Sequence, residues 1–73
     1  MANEAMSSNN KIGSNLKKLR AQKGYSLERV ARLAELSLNT VVRLESGVNK
    51  NPTIKTLTKI ARTLDMSVDD LIK

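Results

Sequence analysis

From Lys11 onward the apolar residues recur at helical spacing. Ile12, Leu16 and Leu19 stand at i, i+4 and i+7, one face of an α-helix. Gly24 follows where a left-handed C-terminal cap belongs. Ser26 then reads as the N-cap of a second helix with apolar positions Leu27, Val30, Ala31 and Ala34, and Glu28 suits the dipole of its first turn. Tyr25 before the cap and Val30 after it have the spacing of a hydrophobic staple. Ser37 caps a third helix with Val41 and Leu44 facing inward, and Gly47 ends it. After the loop Val48 to Asn51 and Pro52, Thr53 caps a fourth helix whose apolar positions are Ile54, Leu57, Ile60, Ala61 and Leu64. Ser67 opens a short fifth helix, Val68 to Ile72, with Asp69 and Asp70 in its first turn. No stretch alternates with period two between hairpin turns. The pattern predicts an all-α domain of five short helices with short connections.

Residues 1–10 lack an apolar period and end in the polar run SSNN, which predicts a flexible arm ahead of one domain over 11–73. A length of 73 residues fits a single domain. Composition then removes function classes. The chain has no Cys and no His, which excludes disulfides, thiolate metal sites and imidazole acid–base chemistry. It has no phosphate-cradling Gly-Lys loop. An enzyme is therefore not expected, nor a catalytic residue, metal or cofactor. With one Tyr and no Trp or Phe, a stacking platform for single strands is not expected either. No apolar run approaches the length of about 18 residues that a membrane span needs. The first ten residues do not read as a signal peptide. The expected location is cytoplasmic.

Charge narrows the partner. Thirteen Lys and Arg against seven Asp and Glu give +6. Residues 11–62 hold twelve of the basic residues and only three acids, Glu28, Glu35 and Glu45, whereas 63–73 hold Asp65, Asp69, Asp70 and Lys73. A basic body with an acidic end points to a polyanion, nucleic acid or an anionic membrane, although a merely soluble basic protein has the same sum. A membrane-surface helix fits poorly, because Gly24, Gly47 and Pro52 break the chain into short helices.

Between Ser26 and Leu44 a short helix, a tight turn and a second short helix follow one another. Ala31 is small where the two would cross, and Leu36, Val41 and Leu44 can fix their angle. This is the layout of a helix-turn-helix, whose second helix enters the DNA major groove. The flanks add to it. In the stretches IGSNLKKLRAQKGYS, LERVARLAELSLNTVVRLESG and NPTIKTLTKIARTLDMSVDDLI, the chain resembles the Cro/phage-repressor (XRE-like, lambda-repressor-like) class of helix-turn-helix domains. The likeness covers about residues 11–72. It includes the Arg of LKKLR, the Ala of RVARLA, the Glu-x-Gly of LESG and the Asn-Pro before the fourth helix.

The resemblance implies an ion pair between Arg20 and Glu45, tying the first helix to the third. It implies that Ser37, Leu38, Asn39, Val42 and Arg43 face the bases. Arg43 would donate two hydrogen bonds to guanine O6 and N7, Asn39 would pair with adenine N6 and N7, and Leu38 and Val42 would meet only thymine methyls. Phosphate contacts would come from Arg20 on the first helix, from Ser26 and Leu27 at the start of the second, and from Asn49, Lys50, Asn51 and Thr53. Lys17, Lys18 and Lys55 fit either phosphate contacts or solvated surface lysines. Two positions depart from the family: Leu27 stands where a phosphate-binding Gln is usual, and Glu35 where the turn usually has Gly. The function implied is a sequence-specific, double-stranded-DNA-binding transcriptional regulator, a homodimer on a pseudo-palindromic operator. Met66, Val68, Leu71 and Ile72 crowd the acidic end. This predicts Leu71 in the core and Met66, Val68 and Ile72 at the dimer interface. A competing reading on the same fold is a protein-interaction module presenting Leu27, Leu33, Leu38 and Val42. A regulatory partner protein is compatible with either.

Overall fold

A computed structural model describes residues 2–72, with side chains from Ile12 onward. Five α-helices follow in order: α1 Ala2–Lys23, α2 Leu27–Ala34, α3 Leu38–Ser46, α4 Ile54–Thr63 and α5 Val68–Ile72, and the described residues contain no strand. The expected all-α architecture is the one observed. Its punctuation follows local chemistry. Ser26 Oγ accepts the Arg29 N–H at 3.0 Å, Ser37 Oγ that of Thr40 at 3.1 Å, Thr53 Oγ1 that of Thr56 at 3.1 Å and Ser67 Oγ that of Asp70 at 3.1 Å. Each hydroxyl satisfies an amide that the first helical turn leaves without a partner. Gly24 and Gly47 close α1 and α3 at φ 71° and 84°, a region open to glycine at no steric cost.

Helix α1 begins well before its apolar period does. The segment expected as an arm is helical in its backbone from Ala2 onward, while Met1 and Lys73 lie outside the described residues. An apolar period marks a packed face and not helicity as such. No Pro or Gly interrupts the chain between Ala2 and Ile12, so nothing local stops the helix.

The core comprises Leu16, Val30, Ala31, Ala34, Val41, Leu44, Leu57, Ile60, Ala61, Leu64 and Leu71. It draws on all five helices, with α1 against α3 and α5, α2 against α3 and α4, and α4 against α5. Ile12, Leu19, Tyr25, Leu27, Leu36, Met66 and Val68 pack around it half-buried. One of the apolar positions expected along the fourth helix stays outside the core. Ile54 is 70% exposed, because it occupies the first turn of α4 and no neighbour covers it there. Asn15 donates from Nδ2 to the Leu71 carbonyl at 2.8 Å, fastening the end of α5 to α1. The C-terminal helix thereby packs on α1 and α4.

Candidate nucleic-acid interface

The α2–α3 pair is fixed by small residues and a strained turn. Ala31 and Ala34 are buried on α2, where larger side chains would hold the helices apart. Glu35 takes the left-handed conformation, φ 57° and ψ 44°, and its N–H donates to the Arg32 carbonyl at 3.2 Å. Leu36 then donates from its amide to the Ala31 carbonyl at 2.9 Å, with its side chain half-buried against the core. The usual residue at such a turn is Gly, and Glu35 occupies it at a cost of about 1 kcal/mol.

Val41 and Leu44 are buried, which orients the rest of α3 outward. Leu38, Asn39, Val42 and Arg43 are all exposed and lie on one face by helical spacing. Ser37 stands at the head of this face. Its hydroxyl caps α3 and also shares a 2.8 Å hydrogen bond with Thr40 Oγ1. The structure thus brings the five expected base-facing residues together.

The Arg20–Glu45 pair forms as expected. Arg20 Nε donates to Glu45 Oε2 at 2.7 Å and Nη2 to Oε1 at 2.8 Å, a two-pronged contact. Nη1 donates to the Tyr25 carbonyl at 2.8 Å. One guanidinium therefore joins α1, the loop before α2 and the end of α3. The side chains are 19% and 11% exposed. Hydrogen bonding to Glu45 raises the Arg20 pKa, against a smaller opposing effect of burial. Three of the five guanidinium N–H groups are used, which leaves donors for an anion at the surface.

Phosphate-binding candidates frame the α3 face. Ser26 is exposed, and while its oxygen caps α2 its hydroxyl proton stays available. Leu27 is half-buried and lines a cleft of about 260 Å³ with Lys17, Val42, Glu45 and Ser46. Lys50, Asn51 and Thr53 are exposed, and Asn49 Oδ1 accepts the Asn51 N–H at 3.1 Å, which shapes the loop. Lys17, Lys18 and Lys55 are exposed as well. Leu33 lies apart from Leu27 and Val42, in a groove with Ala34, Glu35, Lys59, Arg62 and Thr63 between α2 and α4. The four apolar residues of the protein-interaction reading therefore do not share one cleft.

Of the expected interface residues, Ile72 is 44% exposed, whereas Met66 and Val68 are half-buried against the core. Sequence reasoning missed three features. Gly13 is buried, and a Cβ there would lie 2.7 Å from the Leu44 carbonyl oxygen and 2.8 Å from that of Glu45. Asp65 is a second non-Gly residue at positive φ, 58°, and its carboxylate accepts Lys23 Nζ at 2.8 Å. Val48 is 64% exposed and shares a cleft of about 320 Å³ with Asn39, Thr40, Arg43 and Asn49. Among the described residues no group of His, Cys, Asp or Glu is placed to hold a metal ion, and no helix is long and apolar enough to cross a membrane.

Residues 16–71 match the family model described as helix-turn-helix. The chain belongs to that family, and its five helices make it a domain of the XRE, lambda-repressor-like type. It is 36% identical to the HTH-type transcriptional regulator SinR of Bacillus subtilis (strain 168), over 84% of this chain and 55% of SinR. It therefore spans little more than half the length of that relative. It is similar to the crystal structure of SinR, the master regulator for biofilm formation, in complex with DNA. That match has a TM-score of 0.82 at 35% identity and covers 85% of this chain and 98% of that one. It is also similar to the restriction-modification controller protein C.AhdI from Aeromonas hydrophila. Here the TM-score is 0.81 at 33% identity, over 86% of this chain and 94% of that one.

Proposed function

We propose that the chain is a sequence-specific, double-stranded-DNA-binding transcriptional regulator that acts as a homodimer on a pseudo-palindromic operator. The observation that carries this reading is the outward face of α3. It presents Asn39 and Arg43 beside the apolar Leu38 and Val42, in a body whose charge is strongly basic. Arg43 and Asn39 have the donor patterns that read guanine and adenine in the major groove, while Leu38 and Val42 suit thymine methyls. Ser26, Leu27, Arg20, Asn49, Lys50, Asn51 and Thr53 flank this face as backbone contacts that set its register. The DNA-bound state of SinR, to which the chain is similar, supports the same reading.

A single helix-turn-helix reads few base pairs, so two copies must present recognition helices about 34 Å apart along one turn of DNA. Ile72, with the edges of Met66 and Val68, supplies the contact between them. The domain body is 11–73, and residues 1–10 extend from it as an arm. The protein works in the cytoplasm as a binding protein and not as an enzyme, without a cofactor. A regulatory partner protein is compatible with this reading.

Selection of bound duplexes from a random DNA pool tests the proposal. A palindromic consensus with half-site centres one helical turn apart is the expected result. Affinity for that site must also fall steeply with salt, since each neutralised phosphate releases counterions. Arg43→Ala should then lose about 1–3 kcal/mol at the preferred site and relax one base position, with much less change on random DNA. No enrichment, or salt-independent binding, overturns the reading.

A further inference from the structure

We propose that Val48, in the loop between α3 and α4, is a specificity-determining residue. Its isopropyl group packs on the C5-methyl of a pyrimidine that lies 5′ to a guanine held by Arg43. This rests on the DNA-binding reading above and adds to it a base step, thymine followed by guanine.

Val48 is among the most exposed apolar side chains of the described residues, at 64%, yet the loop around it is tied down. The Gly47 N–H donates to the Leu44 carbonyl at 3.3 Å and the Asn49 N–H to the Arg43 carbonyl at 3.1 Å, so hydrogen bonds to α3 flank Val48 on both sides. The second of these bonds runs to the backbone of Arg43 itself. A branched side chain on an anchored loop has little rotamer freedom left to lose on binding. Solvent gives it no partner in the free protein.

Its surroundings identify the ligand chemistry. The cleft of about 320 Å³ has Val48 as its aliphatic wall, and the other walls are Asn39, Thr40, Arg43 and Asn49, all with hydrogen-bonding groups. Such a lining suits a group that presents hydrogen-bonding and apolar edges side by side. A guanine bound through O6 and N7 by an arginine has the guanidinium lying near the plane of its base pair. The C5 position of the pyrimidine on its 5′ side projects toward that guanidinium in the major groove. In thymine this position bears a methyl, in cytosine only hydrogen. Val48, on the far side of the cleft from α3, closes over that methyl. Leu38 and Val42 do not line this cleft, and Val42 instead faces the one beside Leu27.

The test uses the half-site recovered by selection and replaces each thymine singly by deoxyuridine, which pairs alike but lacks the methyl. One step is expected to stand out, a thymine directly 5′ to guanine. There the wild-type chain should lose affinity about fourfold, the worth of one buried methyl. Val48→Ala should show little or no such loss. Replacing that thymine–adenine pair by 5-methylcytosine–guanine should likewise bind more tightly than cytosine–guanine to the wild type alone. Absence of a thymine–guanine step from the half-site, neutrality of every deoxyuridine, or an equal loss in Val48→Ala overturns the assignment. So does weakening of specific and random duplexes alike by Val48→Ala, which would make Val48 a contact that reads no base. These results leave salt-dependent, sequence-selective binding intact, whereas failure to bind any duplex removes the DNA reading and this inference together.

Discussion

Removing Glu45 should destabilise the domain well beyond an ordinary surface charge change. Glu45→Ala leaves the half-buried Arg20 guanidinium without its two-pronged acceptor and frees the end of α3 from α1. Charge-assisted hydrogen bonds in such settings are worth about 1.5–3 kcal/mol. A melting temperature equal to the wild type would show the pair to be solvated. Lys23→Ala serves as the contrast, because the Lys23–Asp65 pair is exposed and its loss should leave melting almost unchanged. Glu35 carries a different kind of cost, one of backbone conformation. At φ 57° the Cβ is crowded, so Glu35→Gly should raise the melting temperature. The gain is smaller than the steric relief of about 1 kcal/mol, since glycine also loosens the unfolded chain. Glu35→Val should lower it, because branching at Cβ disfavours positive φ further. Any order other than Gly above Glu above Val would mean that the turn relaxes out of the left-handed region.

Helix α1 meets α3 through Gly13, and here two principles oppose each other. Intrinsic propensity favours Ala over Gly within a helix by about 1 kcal/mol. Packing forbids it, because the added Cβ would press on two backbone carbonyls of α3 at 2.7 and 2.8 Å. Carbonyls cannot rotate away as a flexible side chain can. Gly13→Ala should therefore destabilise by about 1–3 kcal/mol despite the better helix former. Denaturant melts decide the sign, and a stabilised variant would show that α1 slides on α3 at no cost. The same displacement would strain the Arg20–Glu45 contact seven residues further along α1. Gly13→Ala and Glu45→Ala are thus expected to be non-additive in combination.

The assembled protein should be a dimer whose interface includes Ile72. This side chain is exposed at the end of α5, while its neighbour Leu71 is fully buried and its carbonyl is held by Asn15. A charge at 72 therefore opens no cavity in the core. Ile72→Asp should sediment as a folded monomer and bind the operator much more weakly. The matching variant is Ile54→Asp, at the most exposed of the large apolar side chains described. If Ile54→Asp yields the monomer and Ile72→Asp does not, the two-fold axis passes by the first turn of α4 instead. A wild-type chain that stays monomeric at high micromolar concentration and occupies half-sites singly would remove the dimer and leave the DNA face untouched.

Much of this was readable residue by residue. All four N-caps, Ser26, Ser37, Thr53 and Ser67, act as their position before an apolar run implied, because capping is chemistry between residues three apart. The buried face of α3 and its outward counterpart followed from helical period in the same way. Family resemblance, and not spacing, joined Arg20 to Glu45 and set Glu35 in the left-handed turn. Other features depended on what lies across the fold. Ile54 satisfies the apolar spacing of α4 as well as Leu57 does, yet only Leu57 is buried. Gly13 reads as a weak point in a helix until the carbonyls of α3 are found against it. Val48 sits in a loop with no period to interpret, and its place beside Arg43 comes from hydrogen bonds that bring the loop back to α3. Period and capping act within one turn of chain, so sequence alone carries them. Whether an apolar side chain is covered, or a missing one required, depends on residues distant in sequence, and only the packed molecule brings those together.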